Sequence, residues 1–451
     1  MKHLNKTLQT LLLCLLVVAT TPAQQQTKVR IDLRETKLKN GLRVVTVEDH
    51  HAPVVSLVLI YNVGGANERK GRGEFAHLFE HLMFQGTRNI EPGEFNKLVG
   101  QTGGIVNATV NDDRTVYFEV VPADQLELPL FLESDRLRGL SITQQRLDIG
   151  RKAVQEERRM RILNQPYGRS GEVMTELLYD NFAYKHGGME SMEGLDAASL
   201  EDIQDFFKTY YAPNNAVLAL VGDFKTVEAL AKIRKYFEDI PRQPEPSPID
   251  FTEAEQKAER RKTIEDALAP LPQVRIAFKA VPGNTPDFYA LQILSAVLQD
   301  GQSSRLYQKL VKEKELVNGV GGGIGEKRGP AAFSITTTLR QGKKVETVEA
   351  AIYEEFERLK REPITNLEIE KAKNSINGAF INNLERSLIR AITVAQYAIF
   401  YDDPNLINTR LDKTNSVTRE DVRRVANKYL KPTNRTVVVT VPKAATDKTA
   451  K

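Results

Sequence analysis

Two kinds of hydrophobic pattern alternate along this chain. Compact runs rich in β-branched, aromatic and other apolar residues occupy residues 54–61, 115–121 and 217–221, and again 274–278, 333–338 and 436–441. Between them lie longer stretches whose apolar residues recur every three or four positions. The first kind fits strands and the second amphipathic helices. Gly103-Gly104 reads as a junction between adjacent strands, which suggests antiparallel pairing with helices packed on one face. The expectation is an α+β fold made of two tandem α/β sandwich domains.

The pattern also repeats. SLEDIQDFFKTYYAPNNAVLALV at 199–221 aligns without a gap with TREDVRRVANKYLKPTNRTVVVT at 418–440. Glu201, Asp202, Tyr210, Pro213 and Asn215 match Glu420, Asp421, Tyr429, Pro432 and Asn434. Each copy predicts a capped helix, a Pro/Asn turn and a β-branched strand. Ser199 or Thr418 would accept from first-turn amides, and the acidic pair behind it complements the helix dipole. A second match, at a slightly shorter offset, sets FAHLFEHLMFQGT (75–87) against YALQILSAVLQDG (289–301). The chain therefore reads as an N-terminal domain over 28–240, a Pro-rich and charged linker over 241–262 and a homologous C-terminal domain over 263–445.

Composition narrows the class. The 451 residues are 41% hydrophobic and 27% charged, ample for a sizeable core. Lys plus Arg (63) nearly balance Asp plus Glu (59) and are interspersed, so no basic stripe recommends nucleic acid as a partner. Lys2 and Lys6, the apolar run LLLCLLVVA and Thr21-Pro22-Ala23 read together as a signal peptide over 1–23. So short an apolar run cannot cross a hydrocarbon core that needs about 20 residues. Cleavage would remove the one cysteine, Cys14, and lower the formal charge by two, from +4 to +2. No later segment is apolar for long enough to span a membrane, so the expected location is periplasmic or secreted.

Comparing the repeats isolates the chemistry. The first copy carries His77, Glu80 and His81 where the second has Leu291, Leu294 and Ser295. Residues three and four apart share a helix face, so both imidazoles can address one ion with Glu80 beside it. A catalytic zinc takes three protein ligands, which leaves a third to be found.

The motif His77-Leu78-Phe79-Glu80-His81 is preceded by Gly71-Arg72-Gly73-Glu74-Phe75-Ala76 and followed, much later in the chain, by Glu157 in Val154-Gln155-Glu156-Glu157. Together these resemble the insulinase/pitrilysin zinc peptidases, and most closely the two-domain processing-peptidase-like members. The resemblance covers nearly all of the chain after residue 23. It implies one Zn2+ per chain held by His77, His81 and Glu157, with Glu156 the competitor for the third place, and Glu80 as catalytic base. It also implies that Gly103 to Thr109 forms an edge strand on which Asn107 and Ala108 line an extended peptide substrate. Tyr117, on the following strand, reads as packing.

Two departures stand out. Many members carry a second Glu two helical turns before the ligand Glu; here that position is Gly150. Ser304-Arg305-Leu306 fits the family, but the Arg/Tyr pair that anchors substrate falls on Val311 and Asn318. This suggests a zinc-bearing subunit in a heterodimer whose homologous partner supplies the Arg/Tyr pair, a homodimer being the simpler arrangement. The competing function is a non-catalytic homologue serving as a peptide-binding or scaffold subunit.

Overall fold

A computed structural model describes residues 30–185 and 189–443. The expected signal peptide lies outside them. Every described helix and strand belongs to the compact unit Asp32–Lys451.

Two mixed sheets organise the fold. The first contains β1 (Arg34–Lys37), β2 (Arg43–Glu48), β3 (Val54–Tyr61), β4 (Ile105–Val110), β5 (Thr115–Pro122) and β6 (Ala216–Gly222), in the order β1-β2-β6-β3-β5-β4. The second contains β7 (Arg260–Asp266), β8 (Gln273–Lys279), β9 (Val317–Ile324), β10 (Ala332–Leu339) and β11 (Arg435–Pro442), in the order β7-β11-β8-β10-β9. Without β1 the two orders are the same, strand for strand. Neighbours run antiparallel except β2 with β6 and β7 with β11, which are parallel. The six apolar runs read from the sequence are β3, β5, β6, β8, β10 and β11.

The capped helices are built as their sequences imply. Ser199 Oγ accepts from Asp202 N at 3.1 Å while the Asp202 carboxylate accepts from Ser199 N at 3.0 Å. Thr418 and Asp421 repeat this closure at 3.1 and 3.0 Å. One expectation fails: Gly103-Gly104 does not join two strands. Gly103, at φ 77°, terminates helix Glu94–Gln101, and Gly104 passes so close to β5 that a Cβ there would lie 2.6 Å from Val120 O. The hairpin from β4 to β5 turns instead at residues 111–114, where Asn111 Oδ1 accepts from Asp113 N and Arg114 N.

β3 and β6 are buried along almost their whole length, as strands covered on both faces must be. One face carries the helices of their own half. Against the other lies helix Ser387–Tyr401 of the second half, linked by Ser56 Oγ to Ser387 Oγ at 2.9 Å and by Arg43 Nη1 donating to Ala398 O at 2.7 Å. Helix Gly168–Leu178 of the first half returns the arrangement, setting Val173, Met174 and Leu178 against Ala277 and Val438 of the second sheet. Gly168 and Ser387, where these two helices begin, stand as far apart in the chain as the repeat-matched caps Ser199 and Thr418. Each half thus completes the other's core, and at roughly 1.5–3 kcal/mol per fully buried aliphatic side chain the exchange stabilises the joined form by several kcal/mol.

Candidate metal centre

Helix Phe75–Leu82 buries Phe75, Ala76, Leu78, Phe79 and Leu82 as a stripe at helical spacing, which turns His77, Glu80 and His81 outward. Glu68 receives the start of the helix, its two carboxylate oxygens accepting from Glu74 N at 2.9 Å and Ala76 N at 3.0 Å. Phe79 stacks on Phe206 and Tyr211, and its carbonyl accepts from Tyr117 Oη at 3.3 Å. Tyr117 is fully buried, in keeping with a packing role.

Helix Gln144–Arg158 lies against the first helix and buries Leu147, Gly150 and Val154 toward it. Glu157 follows Val154 by three positions and continues that face. Gly150 allows the close approach: a Cβ there would meet Leu82 Cδ2 at 3.0 Å and Leu78 Cδ1 at 3.1 Å. A carboxylate side chain has no room at this contact. Glu156 points elsewhere, more than half exposed and paired with Arg159.

The structure brings three sequence-selected residues together. His77 Nε2 lies 3.6 Å from Glu157 Oε1, and His81 Nε2 lies 3.3 Å from Glu157 Oε2. One donor atom from each of the three falls within 4.8 Å of the others, and no second such group of His, Cys, Asp or Glu occurs among the described residues. Bonds of about 2.0–2.2 Å to a shared tetrahedral ion would separate ligand atoms by roughly 3.4 Å, so two neutral imidazoles and a carboxylate at these spacings fit zinc. His77 Nδ1 is 2.9 Å from Glu74 Oε2, and Arg161 Nη1 is 2.6 Å from Glu157 Oε1.

Burial and charge divide the titrating groups. Burial pushes the Glu80 carboxyl above its ordinary value, opposed in part by His77. His81 is lowered, first by burial and then by the His77 charge, which keeps its ring neutral for ligation. Burial also pulls His77 down, but the hydrogen bond to Glu74 together with the charges of Glu74, Glu157 and Glu80 outweighs it, and the shift is upward.

β4 is the outer strand of its sheet, pairing with β5 on one side only. Helix Phe75–Leu82 packs against it, which sets the strand beside the site. Asn107 is exposed and its Oδ1 accepts from Ala108 N at 2.8 Å; Ala108 is buried. The sequence did not single out Glu74 or Arg161 as neighbours of the site, although the i,i+4 spacing of Arg161 from Glu157 was there to be read.

In the second half the matching helix, Pro286–Gln299, buries Leu291 and Leu294 completely, and Ser295 Oγ accepts from Gln299 Nε2 at 3.1 Å. Val311 is buried and Asn318 is exposed on β9, so neither position presents a substrate-anchoring cation or phenol.

The chain matches two family models and several known relatives. Residues 43–184 match the insulinase (peptidase family M16) model, and residues 197–376 match the peptidase M16 inactive domain. Zinc protease PqqE of Helicobacter pylori is 31% identical over 409 residues, covering 90% of this chain and 92% of the relative. A probable mitochondrial-processing peptidase subunit beta of Arabidopsis thaliana is 22% identical over 419 residues, covering 88% and 76%. The crystal structure of a protease from Helicobacter pylori superposes with a TM-score of 0.86 at 29% identity, over 92% of this chain and all of that one. The chain belongs to peptidase family M16, the insulinase family.

Proposed function

We propose that this protein is a zinc metalloendopeptidase that hydrolyses extended or unfolded peptides. The observation that carries the reading is the convergence of His77, His81 and Glu157 donor atoms beside Glu80, on a helix tied to an open strand edge. His77, His81 and Glu157 would hold one Zn2+ per chain. When bound there, zinc supplies Lewis acidity that acidifies water and polarises a peptide carbonyl. Glu80, raised by burial, takes the proton from the attacking water and delivers it to the leaving amine, so one carboxyl serves as base and then acid. β4 receives the substrate as an added strand that reads backbone and not side chains, with Asn107 and Ala108 alongside.

The buried Val311 and exposed Asn318 support a paired enzyme in which a homologous subunit supplies the missing Arg/Tyr anchor, and the mitochondrial relative is itself named as a subunit. No described helix is long and apolar enough to cross a membrane. The basic start and apolar run of segment 1–23 support export to the periplasm.

Metal analysis and cleavage of an unstructured peptide test the reading. About one zinc per chain and chelator-sensitive cleavage are expected, with Glu80→Gln keeping the metal and lowering turnover by about 10²–10⁴-fold. Zinc-free protein that binds peptide without cutting it would instead establish the scaffold role, and undiminished cleavage by Glu80→Gln would remove Glu80 from the chemistry.

A further inference from the structure

Glu74 holds a backbone conformation that side chains avoid. Its φ of 62° and ψ of 13° lie in the left-handed region, where a Cβ crowds the following carbonyl and glycine is the ordinary occupant. Strain of this kind persists only where surrounding contacts impose it, and it concentrates at sites that need a fixed geometry. Two contacts impose it here. Glu68 Oε2 accepts from the Glu74 amide at 2.9 Å, and Glu74 Oε2 lies 2.9 Å from His77 Nδ1.

The opposite side of the site shows why the contact matters. A histidine ligand generally donates a hydrogen bond from its other ring N–H to a carboxylate or carbonyl, which fixes the tautomer and the ring plane. Helix Gln144–Arg158 offers no carboxylate for this at Gly150, whose Cβ position is closed by Leu78 and Leu82. Glu74 reaches His77 from the segment leading into the first helix instead.

We infer that Glu74 is a positioning residue for the metal centre. It accepts a hydrogen bond from His77 Nδ1–H, so that Nε2 keeps its lone pair and faces Glu157. The left-handed turn is what aims the carboxylate back along the helix at the ring. Glu74 acts through His77 and touches neither ion nor substrate. The inference rests on the zinc reading above and assigns that site a support from an unexpected element.

The test is zinc affinity, measured by competition with a chromophoric chelator, together with the melting temperature of the zinc-free protein. Glu74→Gly removes the carboxylate and suits the left-handed backbone. It should weaken zinc binding by about 10–100-fold while leaving the zinc-free melting temperature unchanged or higher. Glu74→Gln keeps a carbonyl acceptor for the same proton and should fall between Glu74→Gly and the native protein. Native-like zinc affinity in Glu74→Gly, or a Glu74→Gln no tighter than Glu74→Gly, overturns the assignment of Glu74 while the zinc reading stands. Failure of the native protein to take up zinc overturns both.

Discussion

Helix Phe75–Leu82 and helix Pro286–Gln299 occupy the same place in two sheets of the same order, yet one is half open and the other sealed. The first buries an apolar stripe and leaves His77, Glu80 and His81 partly accessible. The second is buried on nearly every side, with Leu291 and Leu294 at the equivalent positions. Their anchoring differs too. Glu68 receives backbone amides at the start of the first helix, whereas Asp287 fastens the second through the side chains of Lys428, Tyr429 and Arg424. The lesson is that one scaffold tolerates either polarity on this helix. An uncovered face permits a titratable site, and a covered face excludes one, because an unpaired buried charge is costly.

Writing the second half into the first is the strongest way to break the contrast. The triple variant His77→Leu, Glu80→Leu, His81→Ser should lose both zinc and cleavage altogether, while its melting temperature stays close to native because all three side chains are partly accessible and none leaves a buried charge without a partner. Stoichiometric zinc in that variant would place the metal elsewhere. The converse change is smaller but still severe. Leu294→Glu introduces a carboxylate into a fully buried position with no partner and should cost about 4 kcal/mol in urea unfolding. A native-like midpoint would mean that the second helix is not sealed.

The smallest effect concerns the anchors. Burial alone would push the Asp287 carboxyl up, but hydrogen bonds from Lys428, Tyr429 and Arg424 hold it at about 2, below its ordinary 3.8. A depressed carboxyl contributes stability that is fully present above pH 3.8 and is lost as pH falls toward 2. Because Arg424 and Lys428 are about half exposed, solvent screening limits the contribution to about 1 kcal/mol. Asp287→Asn should therefore be less stable than native by about that amount at neutral pH, with the gap closing in acid. A gap of constant size across pH would show that the charge is not what matters.

The residues that spoke from the sequence were those whose chemistry is local. β3 and β6 announced themselves because a strand buried on both faces must be apolar throughout, β10 because its β-branched and aromatic residues alternate between buried and half-buried, and the capping residues because a cap is satisfied within one turn. His77, Glu80 and His81 stood out because one helical turn defines their spacing, and Glu157 followed only through the family resemblance. β7 was hidden because it is an edge strand of sequence RRKTIED, largely accessible and so without an apolar pattern, and it begins within the stretch that reads as linker. β9 was hidden by its glycines, at 319 and 321–323. The parallel pairs and the exchanged helices could not be read at all, since their partners lie far along the chain. Glu74 escaped notice because a left-handed backbone turn brings its carboxylate to His77, and spacing alone does not reveal a turn.

The exchanged helices bear on why the chain keeps a half that lacks the His77, Glu80 and His81 equivalents. Deleting the second half would strip helix Ser387–Tyr401 from β3 and β6 and expose two of the most apolar strands of the armed half to water. Once duplication had produced this mutual wrapping, the copies were free to diverge in activity but not to part. The second copy thus serves as a permanent, covalently tethered cover for the sheet that carries the candidate metal site.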